Sequence, residues 1–198
     1  VHIDLDRLVH NLGVIRALQP SGTKVLCAVK ANAYGHGLVP CAQALLGAGA
    51  DWLGVALLEE GRSLRAAGIS APILCLGGIA GKLEVAEYAL EHGLTPMVFD
   101  LDSARALNQA AQSRGQAVAI HVKVDTGMGR LGVPPERWSA FFQRLRELPW
   151  LRVQGFATHF ASAEEDPSFT LEQAQRFRDA LAMLKAQGFQ PELVHAAN

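Results

Sequence analysis

The sequence has little that would send it to nucleic acid or into a membrane. Its 18 lysines and arginines face 19 aspartates and glutamates, a formal charge of −1 with no basic block, so long-range attraction to a polyanion is missing. No apolar run approaches the ~20 residues that a bilayer span requires. Cysteine is scarce. The three thiols, Cys27, Cys41 and Cys75, have no metal-ligand spacing and form no even disulfide set. Two of them sit in apolar runs, so they read as reduced and buried, which points to the cytoplasm. No signal-peptide pattern is visible from Val1 onward. No G-x-G-x-x-G follows the first strand-like run, which weighs against a dinucleotide-binding sheet.

What is present is an ordinary globular composition, 49% hydrophobic over 198 residues, enough for one domain with a sizeable core. Short β-rich runs alternate with helical patterns. Asp4 is placed to cap a helix with Leu5, Leu8, Leu12 and Ile15 on one face. Strands are expected over 25–30, 52–57, 73–76 and 97–99, then in "AVAIHVKVD", in "VQGFATHF" and from "ELVH". Helices fall between them, one capped by Asp100 and one over 171–184 with Ala174, Phe177 and Leu181 on its face. Such alternation with short connections means parallel pairing and right-handed crossovers. An open doubly wound sheet and a closed barrel both satisfy it. The even repeat, with no linker or composition break, favours the (β/α)8 TIM-type barrel. Seven strands do not close that barrel, so the expectation is an incomplete one, with at least one more strand and helix missing from the chain.

Alternation along each strand sorts the side chains. In the fifth strand Val118, Ile120, Val122 and Val124 would meet the helices, turning His121, Lys123 and Asp125 inward. Leu26, Ala28 and Lys30 look inward from the first, and Gly155, Ala157 and His159 from the sixth. Lys30, Lys123 and His159 would then share the C-terminal rim, where barrel enzymes place catalysis. The small residues Ala28, Gly155 and Ala157 beneath them would leave room for a planar ligand. Taken singly, a strand-end lysine snorkels to water and an inward histidine is a hydrogen-bonded core residue. Three polar groups at one rim argue for a site.

"AVKANAYGHG", residues 28–37, resembles the pyridoxal-phosphate lysine motif of alanine racemases. "HVKVDTGMGRLG" resembles their second signature, and "GFATHFASAE" and "VHAAN" follow in the right order. The resemblance runs from "IDLDRLVHNL" to the last residue. It implies a pyridoxal 5'-phosphate-dependent isomerase that interconverts L- and D-alanine, supplying D-alanine for peptidoglycan. Residues 1–198 would be its cofactor-binding barrel domain, cut before the last strand and helix and lacking the C-terminal β domain.

On that resemblance Lys30 would hold the cofactor as a Schiff base and act as acid/base on one face of the substrate Cα. Desolvation would favour its free amine. Tyr34 would donate its hydroxyl to the cofactor phosphate, and Asn198 would lie beside that phosphate. Arg130 would contact the cofactor's phenolic oxygen and the substrate carboxylate, a task its planar fork suits. Two cations at one site repel, so Lys123 would be carbamylated, becoming an anion that pairs with Arg130. The alternative for Lys123 is an unmodified ammonium paired with Asp125. His159 would join a hydrogen-bond chain to the cofactor's ring nitrogen through an arginine beyond residue 198. His36 has no assigned chemistry, and no residue reads as a metal ligand. The second acid/base would be a tyrosine from the partner's β domain in a homodimer, so the fragment alone would be inactive. Two other readings remain open: a non-catalytic carrier or regulatory barrel that binds pyridoxal phosphate, and a racemase for serine or several amino acids. A barrel with purely structural inward lysines is a third.

Overall fold

The computed structural model of the chain describes residues 2–197. Seven parallel strands alternate with helices, in two compact units. One unit holds the residues up to Gly77 with Glu91–Thr95, and the other holds Gly78–Leu90 with the residues from Pro96 on. Among the described residues no helix is long and apolar enough to cross a membrane.

The first unit opens with α1 (Leu5–Ala17), capped as expected: Asp4 Oδ1 accepts the N–H groups of Asp6 and Arg7 at 3.1 and 3.2 Å. Then follow β1 (Leu26–Ala28), a single turn α2 (Lys30–Tyr34), α3 (Leu38–Gly47), β2 (Trp52–Val55), α4 (Leu58–Ala66) and β3 (Ile73–Cys75). The strands pair in parallel, β1 with β2 and β2 with β3. Leu53, Val55, Ile73 and Cys75, which share one face by register, are all fully buried. Each aliphatic side chain there stabilises the fold by about 1.5–3 kcal/mol. Burial pushes the Cys75 thiol up to about 12, which leaves it an inert core group.

Two polar knots hold the unit. Asp51 accepts from Arg16 of α1 at 2.7 Å and from the Val25 N–H at 2.9 Å, fastening the first helix to the start of the sheet. Arg65, near the end of α4, donates to the carbonyls of Ile69, Ala71, His92 and Gly93. One planar fork thus satisfies four acceptors left open by chain turns.

The second unit holds all but the last residue of α5 (Leu83–Glu91) and all but the first of β4 (Thr95–Val98), then α6 (Leu101–Ser113), β5 (Val118–Lys123), α7 (Trp138–Arg146), β6 (Leu151–His159), α8 (Pro167–Ala186) and β7 (Leu193–Ala197). Asp100 caps α6, accepting the Ser103 N–H at 2.7 Å. Strands β4 to β7 pair in sequence order, all parallel. Ile120, Val122 and Phe156 are fully buried. Phe156 stacks on Phe177 of α8 at 5.1 Å and meets Phe142 of α7 edge-on. A bulge enters the β5–β6 ladder after Ile120, where His121 pairs with Gly155 and Gln154 is skipped. The extra residue resets the strand's phase, so Val153 before it and Phe156 after it serve the same face.

Two sequence expectations need correcting. The first strand ends at Ala28 rather than at Lys30. The buried face of α8 carries Gln173, Phe177, Ala180 and Leu184, not the predicted Ala174–Phe177–Leu181 set. Gln173 is buried because every polar bond it needs is made inside, so hydrophobicity alone pointed to the wrong stripe.

Candidate active site

Lys30 stands two residues past the end of β1, half-buried, at the first position of α2; Tyr34 is at its last. The turn between them is left-handed. Ala31, Asn32, Ala33 and Tyr34 all have φ between 52 and 56°, a conformation that costs an L-residue roughly 1–2 kcal/mol. Only Asn32 among them tolerates it readily. Four non-glycine residues in this state need external support. The Ala33 N–H reaches the Val29 carbonyl at 2.8 Å, and Asn32 Oδ1 accepts the Leu38 N–H at 2.8 Å, tying the turn to the start of α3. Gly35 and Gly37, also at positive φ, complete the exit. Tyr34 is 59% exposed, so its hydroxyl is available to a ligand rather than committed to packing.

In the second unit Lys123 is the last residue of β5, and His159 is the last of β6. Lys123 is buried and His159 half-buried. Register places Lys123, Ala157 and His195 on one face. Arg130 is exposed on the loop that follows β5. That loop is built, not slack. The Asp125 carboxylate accepts the Gly127 and Gly129 N–H groups at 2.9 Å each. The chain then returns to pair Val133 with Val124. Gly132, at φ 134°, passes so close to Asp125 that an added Cβ would lie 2.5 Å from its nitrogen.

Gly155 does not leave the ligand space expected of it, because a neighbouring ring fills that volume. The imidazole of His121 occupies the position that a Gly155 Cβ would take, and His121 Nδ1 lies 3.0 Å from His195 Nε2. Gly155 is small to admit that ring. Ala28, by contrast, is exposed on its face of β1. Asn198 lies outside the described residues. His36 points back to its own turn, Nδ1 at 2.8 Å from the Ala33 carbonyl.

Three supporting residues escaped the sequence reading. Glu60 accepts the Ala31 N–H, next to Lys30, at 2.5 Å. Gln173 joins Thr126, His159 and Ala161. His195 pairs with His121. Only Glu60 had a sequence signal, a glutamate at the third position of α4 where a capping box places one. Among the described residues no cluster of histidine, cysteine or carboxylate could hold a metal.

The residues at these strand ends can be compared with known proteins. The family profile described as alanine racemase, N-terminal domain, matches residues 3–198. The chain belongs to the alanine racemase family. An alanine racemase of Syntrophobacter fumaroxidans is 43% identical over the whole chain, and one of Geobacter sulfurreducens 42% over 99% of it. The chain spans about half the length of these curated relatives, 52% in both cases. Among solved structures, the alanine racemase of Clostridium difficile 630 superposes with a TM-score of 0.92 at 35% identity, covering 98% of this chain and 54% of that one. The same relative has been solved in complex with cycloserine. The chain therefore has the TIM-barrel-type (β/α) fold of the alanine racemase N-terminal domain, with seven parallel strands.

Proposed function

We propose that the protein carrying this chain is a pyridoxal 5'-phosphate-dependent alanine racemase, and that residues 1–198 form its cofactor-binding barrel domain. One observation carries the reading. Each candidate site residue among the described residues sits at the C-terminal end of a parallel strand or in the segment just after it: Lys30 and Tyr34 after β1, Lys123 and Arg130 at and after β5, His159 closing β6. Catalytic groups of (β/α) barrel enzymes occupy that end.

The donor set fits the cofactor. An amine suits an aldehyde, an exposed phenol suits a phosphate, and a guanidinium suits oxyanions. Lys30 would hold the cofactor covalently through Nζ, and Tyr34 would donate to its phosphate, with Asn198 beside it. When bound, pyridoxal phosphate supplies the electron sink that makes a substrate Cα proton removable. Once the substrate's amine has displaced it from the cofactor, Lys30 Nζ would take or return that proton on one face. Arg130 binds the substrate carboxylate, which fixes the orientation of Cα. His159 supports the ring-nitrogen side. Lys123, buried at the end of β5, is the residue we assign to carbamylation. Its amine nitrogen bonds to the carbon of carbon dioxide and gives up a proton, leaving an anion for Arg130.

The loop of Arg130 favours this reading over a non-catalytic carrier, because residues 125–133 are fastened by Asp125 and by the Val124–Val133 bridge. A carrier has no substrate carboxylate to hold. The opposite-face acid/base belongs, on this proposal, to the partner in a homodimer. The three cysteines are unbridged, as in the reducing cytoplasm we propose for the enzyme. The test uses the full-length protein. Wild type should racemise alanine and show an absorption band near the visible edge. Lys30→Ala should lose both, whereas a wild type that takes up no added cofactor overturns the reading.

A further inference from the structure

The left-handed turn that bears Lys30 leaves the Ala31 N–H without a backbone partner of its own, since the first amides of any helical turn have none. Glu60 provides one. Its two oxygens face two different segments: Oε2 accepts from Ala56 and Leu57 at 2.8 and 3.0 Å, closing the N-terminus of α4, and Oε1 accepts from Ala31 at 2.5 Å. Capping α4 requires only the first oxygen. The second spans 29 residues of sequence to the amide beside the proposed cofactor lysine. The far side of the turn is held separately, by Asn32 and the glycines at 35 and 37. On the near side stand the Glu60 contact and the return of Val29 N–H to Gly54 O at 2.8 Å.

We infer that Glu60 is a positioning residue: by accepting the Ala31 N–H it holds the left-handed turn in the shape that presents the Lys30 amine. Ala31, at φ 52°, leaves that conformation readily once the bond is lost, because right-handed and extended states are open to alanine. The peptide following Lys30 then rotates, and the amine loses its fixed approach. A carboxylate suits the role because both of its oxygens only accept. A glutamine at this position presents an NH2 to one of the two sets of donors.

The inference rests on the function proposed above, and the test separates the two. In the full-length protein loaded with pyridoxal 5'-phosphate, Glu60→Gln should lower kcat by about ten- to a hundredfold, as for a reacting group misplaced by about 1 Å. KM should change much less, and the Lys30-dependent absorption band should weaken. Adding Ala31→Gly to that variant should restore part of both, since glycine adopts φ 52° without steric cost. A role confined to capping α4 predicts something else: a lower Tm, unchanged kcat per folded enzyme, and no rescue by glycine. That result overturns the inference. If Glu60→Gln fails to fold, amide exchange in the wild type decides. The Ala31 amide should exchange about tenfold or more below its intrinsic rate, and exchange at the intrinsic rate overturns the contact. A wild type with no racemase activity would sink the function while the Ala31 exchange rate still reads the contact.

Discussion

His121 Nδ1 lies 3.0 Å from Nε2 of His195, so one imidazole donates to the other, and the accepting nitrogen cannot take a proton without breaking the bond. Burial pushes His121 down to about 3, with the neighbouring His195 adding to the fall, and burial takes His195 to about 4. Unfolded, both rings would titrate near 6.5. Between about 6.5 and 3 the unfolded chain therefore binds more protons than the folded one, and stability rises with pH. Above that window the stabilisation is fully present; below it, the dependence on these rings ends. Asp51 acts later, below its ordinary 3.8, because the Val25 N–H holds its carboxyl low. The urea midpoint of the full-length protein should drop between pH 7 and 4.5, and drop less in His195→Gln. Equal slopes in the two proteins would show that the pair does not set the acid sensitivity.

The same ring fixes a second outcome. A Cβ at residue 155 would overlap the imidazole of His121, which is 1% exposed and cannot swing out to water. Gly155→Ala should destabilise the protein by about 1–3 kcal/mol, the usual cost of overpacking a filled core. Coupling to His121→Ala should be strong, because removing the ring makes room for the methyl. Urea unfolding of both single variants and the double variant measures it; additivity would show that ring and glycine do not constrain one another.

Much of this arrangement was legible in residue order, and the reason differs from one part to the next. Alternation in β5 placed Ile120 and Val122 on one face and His121 and Lys123 on the other because a strand's period is two. Asp4 and Asp100 announced their helices because a cap acts within three residues. Features set by distant partners stayed hidden. "KANAY" has no glycine, and of its residues only Asn32 favours positive φ, so four left-handed residues in a row had no local signal. Its support arrives from Glu60, 29 residues on. Gly155 read as ligand space because alternation reports which face a residue occupies, not what a neighbouring strand lays across it. Gln173 was missed because a pattern built on hydrophobicity discards a buried amide whose partners lie on other elements.

Gln173 is fully buried on α8 and makes three bonds. Oε1 accepts the Ala161 N–H at 3.0 Å; Nε2 donates to Thr126 Oγ1 at 3.3 Å and to the His159 carbonyl at 3.4 Å. Thr126 in turn bonds Thr158 Oγ1 at 2.8 Å, and Arg176 holds the Thr126 carbonyl at 2.9 Å. One side chain thus ties the end of β6 to the root of the loop that carries Arg130. Gln173→Leu approximately preserves the volume but removes all three bonds, to the Ala161 amide, the Thr126 hydroxyl and the His159 carbonyl. A hydrogen bond of this kind contributes about 0.5–1.5 kcal/mol, so a loss of about 2–3 kcal/mol is expected. The exposed neighbour Gln175 bonds Asp179 and Arg178 on its own helix, and Gln175→Leu should stay within about 0.5 kcal/mol of wild type. If urea unfolding finds the two leucine variants equally stable, the network around Gln173 is not what fastens the loop.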